Sequence, residues 1–260
     1  MLNRAIILHA IVPVRTLPRE QAEQSTQLLF GEQVEIIEYT DRWVHIRADY
    51  DGQTGWCDRK MVSPLTEDDI KQLRAVSWDA MVAMPITYAV SDNNGHTLPL
   101  SIGTSLPDYK NGTFKLLGVT FRIDPSMVIE RPLELTEANL QQVCRFLHNV
   151  PYLWGGRNGV GMDCSGFTQT VMKLFGRKLL RNASQQATQG TAVSSLSEAQ
   201  TGDLVFFSHR GVEASSGHSS VSHVGILMNK EVVIHCSGRV KLEAITDDGL
   251  PTHTLLAIRR

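Results

Sequence analysis

The stretch "GMDCSGFTQT", residues 161–170, decides how the second half of this chain is read. A lone cysteine, Cys164, sits between an aspartate and a Ser-Gly pair, where an irregular glycine-rich stretch gives way to an apolar run. Three roles are open to it: a small buried hydrophobe, a redox or metal thiol, or a nucleophile. In "CSGFTQTVMKLFG" the apolar residues Phe167, Val171, Leu174 and Phe175 recur at helical spacing, and Gly176 supplies a stop. The spacing therefore predicts a helix with Cys164 in its first turn. A thiol at a helix N-terminus meets unsatisfied N–H groups and the positive end of the dipole, so its pKa is expected to fall toward thiolate.

Working back from that helix, "LTEANLQQVCRFLHNV" places apolar residues at 140, 143, 144 and 147, a second helix with Thr136 as N-cap, closed by Pro151. Forward of it lie the strand candidates "GDLVFFS", "VSHVGILMN", "EVVIHCSG" and "THTLLAIRR". Residues 134–260 thus read as one α+β domain, helices first and sheet after. The first 130 residues differ. Short strand candidates ("AIILHA", "QVEIIEY", "WVHIRA", "TGWC", "AMVAMPITYAV", "HTLPLSIGTSL", "GTFKLLGVTFRI") are separated by turns rich in Asp, Asn and Gly. Spacing this regular suggests small β-barrels, over 1–66 and 67–133, with the helix-permitting segment 65–78 linking them. One larger sandwich is the alternative.

The chain has 260 residues and a formal net charge of −2, which gives no reason to expect nucleic acid or an anionic membrane as partner. No run approaches the ~18–20 apolar residues of a membrane span, and the opening stretch contains no small-residue cleavage site and reads as a strand. A cytoplasmic location is expected. Cys57, Cys144, Cys164 and Cys236 form no C-x-x-C pair and no zinc spacing, so neither metal nor disulfide framework is expected. Cys144 falls on a helical stripe and Cys57 in a strand, both structural.

If Cys164 is a nucleophile it needs a base and something to orient that base. Nine histidines compete. His9 and His45 lie in the first barrel, His148 ends a helix, His96 and His253 have no evident context, and His209 and His218 flank the loop "RGVEASSGHSS". His223 and His235 differ because each sits inside a strand. A three-residue hairpin loop at 228–230 would pair residue 227 with 231 and 223 with 235, setting the two imidazoles side by side on one face. A two-residue loop at 229–230 would put them on opposite faces, but Asn-Lys lacks the Gly such a tight turn favours, so the longer loop is expected. The bland alternative is a pair of half-buried histidines hydrogen-bonded within a sheet.

The run "PYLWGGRNGVGMDCSGFTQTVMKLFG" resembles the signature of NlpC/P60 cysteine peptidases, and "TGDLVFF", "SHVGILM" and "VVIHCSGRVKL" resemble that family's later strands, over about 150–245. The run "GEQVEIIEYTDRWVHIRADYDGQTGWCDRKMV" resembles bacterial SH3 domains. The resemblance implies a papain-like α+β domain behind two SH3-like barrels, with Cys164 as nucleophile, His223 as general base and acid, His235 orienting His223, and Tyr152 supporting the oxyanion. It implies no cofactor.

Two such barrels ahead of the peptidase resemble one subgroup, the γ-D-glutamyl-L-diamino-acid endopeptidases of murein peptide recycling. These cut after L-Ala-γ-D-Glu when the alanine amine is free. By that resemblance Glu23, Asp163 and Ser165 bind the ammonium. Asn182 stands where the subgroup has Asp, and "DGQTGW" (51–56) lacks the subgroup's Tyr, with Tyr50 nearby. The expected partner is a murein-derived peptide. The competing readings are a wall-binding or partner-binding SH3 protein with an inactive peptidase domain, and an amidase or acyltransferase on the same scaffold.

Overall fold

The computed structural model describes residues 3–209 and 221–260, so His218 and the loop quoted around it lie outside the described residues. The chain divides into two compact units, Met1–Leu133 with Trp154–Val160, and Glu134–Leu153 with Gly161–Arg260. Residues 154–160 group with the first unit although they fall inside the span 134–260.

The first unit begins with β1 (Arg4–Ile6), β2 (Ile11–Arg15), β3 (Gln24–Leu29), β4 (Gln33–Tyr39), β5 (Trp43–Ala48), β6 (Thr54–Asp58) and β7 (Ser63–Pro64). They form one sheet in the order β3-β2-β6-β5-β4-β1-β7. Alternation buries Val12, Val14, Val34, Ile36, Val44 and Ile46 in its core. The helix α1 (Glu67–Arg74) follows, capped by Thr66 with Asp69 completing the capping box. Then come β8 (Met81–Val82), β9 (Ile86–Ser91), β10 (Thr97–Ser101), β11 (Thr113–Leu116), β12 (Val119–Ile123) and β13 (Val128–Ile129). Strands β10-β9-β12-β11 form a four-stranded sheet and β13 pairs with β8. Neither strand order returns on itself as a closed barrel. The run "GTFKLLGVTFRI", expected as one strand, is a hairpin, because Leu117 and Gly118 both take positive φ (48° and 77°). Strands β2 and β3 were not among the strand candidates named from the sequence.

Residues 154–160, with β14 (Arg157–Asn158), lie against β3. Arg157 is fully buried; its guanidinium lies 3.0 Å from each oxygen of Glu32 and donates to the Gln27 carbonyl. Gly155 has φ +70°, and a Cβ there would lie 2.3 Å from the Gln24 carbonyl oxygen, which accounts for a glycine in the Trp-Gly-Gly motif.

In the second unit, α2 (Glu137–Leu147) buries Leu140, Val143, Cys144 and Leu147, with Thr136 as N-cap. After β15 (Gly161–Met162), α3 (Cys164–Leu174) starts at Asp163 and is buried nearly all round. A short helix α4 (Ala183–Gln186) and β16 (Ala192–Val193) lead into β17 (Leu204–His209), β18 (His223–Asn229), β19 (Val232–Ser237), β20 (Arg239–Ala244), β21 (Gly249–Leu250) and β22 (His253–Arg259). The sheet order is β16-β22-β17-β18-β19-β20, with β21 on β22.

The β18–β19 register corrects the expected one. His235 pairs with Gly225, not with His223, and Leu227 pairs with Val233. The turn is the two residues Lys230–Glu231, with the Glu231 amide donating to the Asn229 side chain (3.0 Å). A register shift between Leu227 and Asn229 inserts one extra residue. That bulge restores the parity a two-residue turn would have reversed, so both histidines still share a face, as diagonal rather than direct neighbours.

Candidate active site

Asp163 caps α3, accepting from the Gly166 amide at 2.6 Å. This fixes the first turn and with it Cys164, which is 7% exposed. The backbone N–H groups of Val224 and Ser165 donate toward its sulfur. Val224 directly follows His223, so the thiol lies beside the start of β18.

The expected depression of the thiol is not what burial produces. Desolvation and the Asp163 charge push Cys164 up to about 11, against the opposing effect of the two amides and Arg181. Tyr152 is half-buried, and its phenol is pushed up by burial and by the nearby Cys164, Asp163 and Cys236. Its hydroxyl therefore belongs to the same cluster. Cys236, on β19, is buried and donates to the Met162 carbonyl at 3.1 Å.

His223 and His235 are 5% and 1% exposed, and His223 Nε2 lies 2.7 Å from His235 Nδ1. Gly225 makes the contact possible: a Cβ there would meet Val233 Cγ2 at 2.5 Å and His235 Cβ at 3.1 Å. Burial holds His223 well below the usual imidazole value, helped by His235, His253, His209 and Lys241. His235 is lowered to about 4, burial outweighing the hydrogen bond and charge of Glu243. Both rings are neutral at pH 7.

The residues expected to bind an ammonium have these partners in the structure. Arg181, 1% exposed, holds both Asp163 oxygens at 3.0 and 2.6 Å and also donates to Ser165 Oγ at 2.9 Å. Asn182 is exposed, and its amide donates to the Gln185 side chain at the start of α4. Glu23 lies in the first unit, exposed, and accepts from the indole N–H of Trp154 at 2.7 Å. Tyr50, also in that unit, has the Arg157 guanidinium over its ring at 5.4 Å.

Four residues in these contacts were not singled out by sequence reasoning: Arg181, Trp154, Glu243 and His253. His253 stacks on His223 with ring centroids 4.7 Å apart, and His209 lies 4.7 Å beyond it. The signal for His253 was its place in a strand with β-branched neighbours. For Glu243 it was Gly238, whose tight turn sets His235 opposite Lys241. Among the described residues no group of three or more His, Cys, Asp or Glu is arranged to hold a metal ion.

The profile of the NlpC/P60 family matches residues 149–259, and that of the bacterial dipeptidyl-peptidase Sh3 domain matches residues 14–60. A γ-D-glutamyl-L-lysine dipeptidyl-peptidase of Bacillus subtilis is 29% identical over 249 residues, covering 90% of this chain and 80% of that one. The probable endopeptidase NlpC of Escherichia coli is 38% identical over 101 residues, 38% of this chain and 61% of its own. The fold is similar to that of an NlpC/P60 family protein from Bacillus cereus, with TM-score 0.83, 20% identity and 99% of each chain covered. It is also similar to an NlpC/P60 endopeptidase from Photobacterium damselae, with TM-score 0.74, 18% identity, and 98% of this chain and 70% of that one covered. A strand-rich α+β chain with a cysteine at the start of a buried helix and paired histidines on the adjoining sheet thus carries an NlpC/P60 domain over residues 149–259 and a bacterial dipeptidyl-peptidase Sh3 domain over residues 14–60.

Proposed function

We propose that the protein is a cysteine peptidase that hydrolyses the γ-D-glutamyl–diamino-acid bond of murein peptides in the cytoplasm, as a step in peptide recycling. The family and the named dipeptidyl-peptidase relatives support a cell-wall hydrolase; the bond, the compartment and the residue roles are our reading. The observation that carries it is the buried 2.7 Å contact between His223 and His235 beside the helix start that bears Cys164.

In this reading the Cys164 sulfur attacks the γ-carbonyl carbon while its proton passes to His223 Nδ1, the ring nitrogen not occupied by His235. The resulting oxyanion is stabilised by the Cys164 backbone N–H and the Tyr152 hydroxyl. Collapse breaks the C–N bond, with His223 returning the proton to the leaving amine. Water, deprotonated by His223, then cleaves the thioester and restores the thiol. His235 holds His223 in orientation throughout.

The test is mass spectrometry after incubation with L-Ala-γ-D-Glu-meso-diaminopimelate, its L-lysine counterpart and the N-acetylated form of each. Release of the dipeptide L-Ala-D-Glu, lost in Cys164→Ala, is expected. Cleavage of the acetylated forms would keep the peptidase and remove the demand for a free amine. Transfer products without free dipeptide would mean acyltransferase chemistry. No cleavage, with murein still bound by Cys164→Ala, would mean a binding protein.

A further inference from the structure

The histidine pair does not end at His235. Its Nε2 lies 2.9 Å from Glu243 Oε2, on the neighbouring strand β20. The same carboxylate oxygen is 3.0 Å from Lys241 Nζ. Burial opposes ionisation of Glu243, but its contacts with Lys241 and His235 more than offset this and leave its carboxyl below the usual range. Glu243 is therefore ionised at neutral pH and can only accept hydrogen bonds.

That single constraint propagates. A neutral imidazole carries one N–H and one lone pair. The carboxylate requires the His235 proton on Nε2, which leaves the His235 Nδ1 lone pair as acceptor. His223 must then donate from Nε2, so its own lone pair sits on Nδ1. The opposite tautomer of both rings would satisfy the His223–His235 contact equally well but would aim a lone pair of His235 at the carboxylate. It would also turn an N–H of His223 outward, where a base is needed. We infer that Glu243 is a positioning residue that fixes the tautomers of His235 and His223 and reserves the Nδ1 lone pair of His223 for the thiol proton. This rests on the reading of Cys164 and His223 as nucleophile and base.

The variant that isolates this role is Glu243→Gln, which keeps the shape but offers an amide that can donate or accept. Its readouts are 15N shifts of labelled histidine and the pH profile of dipeptide release. The parent is expected to show one tautomer, N–H at Nε2, for both His223 and His235. The Gln variant is expected to show a mixture, with kcat/KM lowered roughly tenfold to a hundredfold, the range seen when outer hydrogen-bond partners of a site are removed. The loss should fall mainly on kcat. The imidazole-governed limb of the profile should move to lower pH, because a negative charge that favoured the protonated pair is gone. Lys241 from β20, His253 from β22 and His209 from β17 are the other charged or titratable groups acting on the pair, and they are unchanged. Glu243→Asp, which remains acceptor-only, should keep the single tautomer and recover part of the rate.

Unchanged tautomers and an unshifted limb in Glu243→Gln would overturn the inference while leaving the peptidase reading intact. A parent that cleaves none of the peptides would sink that reading, and the 15N shifts would still decide the role of Glu243.

Discussion

At neutral pH a thiol pushed up to about 11 and an imidazole held well below its usual value leave Cys164 and His223 as an uncharged couple. A charged thiolate–imidazolium pair would alkylate at a rate that levels off in the acid range. Here the alkylation of Cys164 by iodoacetamide, followed by peptide mapping, should rise about tenfold per pH unit from pH 6 to 9 with no plateau. A plateau near neutrality would show that substrate-free Cys164 is already ionised. The residue type and its place at a helix start were legible in "DCSGF". The sign of the pKa shift was not, because it is set first by how deeply the fold buries the thiol, which no local pattern records. Arg181 carries the same lesson. It turns Asp163 from a free acidic group into half of a buried bidentate ion pair. Arg181→Met should therefore destabilise the second unit by roughly 3–5 kcal/mol, the usual cost of stranding one buried charge. A urea midpoint equal to that of the parent would refute this.

At the scale of elements, the approach of β18 to β19 rests on one missing Cβ. Gly225→Ala would place a methyl 2.5 Å from Val233 Cγ2 and 3.1 Å from His235 Cβ, so one of them must shift. If His235 shifts, its contact with His223 opens. The expected result is a loss of kcat/KM of at least about tenfold, with a change in stability of roughly 1–3 kcal/mol typical of overpacking; full activity would mean that Val233 absorbs the strain. The helices α2 and α3 were readable because buried apolar residues at helical spacing leave few alternatives. The histidine pairing was readable only in parity. An alternation of period two says which residues share a face, but a bulge adds a residue without leaving any compositional mark. Likewise the turn at Leu117–Gly118 was masked by the apolar leucine in its first position, β2 by Pro13 at its centre, and β3 by the polar residues before it.

For the whole molecule, buried neutral histidines couple folding to pH. The unfolded chain binds a proton at His235 near the ordinary value of about 6.5, and the folded one does so only near 4. The folded state thus binds fewer protons in between. The stabilisation is complete above about 6.5 and is lost as pH falls through 4, amounting to at most about 3 kcal/mol for that ring. His223 acts in the same direction. The urea midpoint should be lower at pH 5 than at pH 7.5, and His235→Asn should flatten that dependence; a parent midpoint independent of pH would contradict it.

The chain passes from one unit to the other three times, after Leu133, Leu153 and Val160. Neither unit is a single continuous stretch of chain. A gene fragment beginning at Glu134 would retain Cys164, His223, His235 and Glu243, yet would also carry Arg157 without Glu32 and Gln27, two residues upstream of the turn into β15 and α3. Recombination that shuffles modules at a single joint would break this arrangement. The seven residues 154–160 make the peptidase sequence and its N-terminal partner a joint inheritance, to be gained, lost or transplanted together.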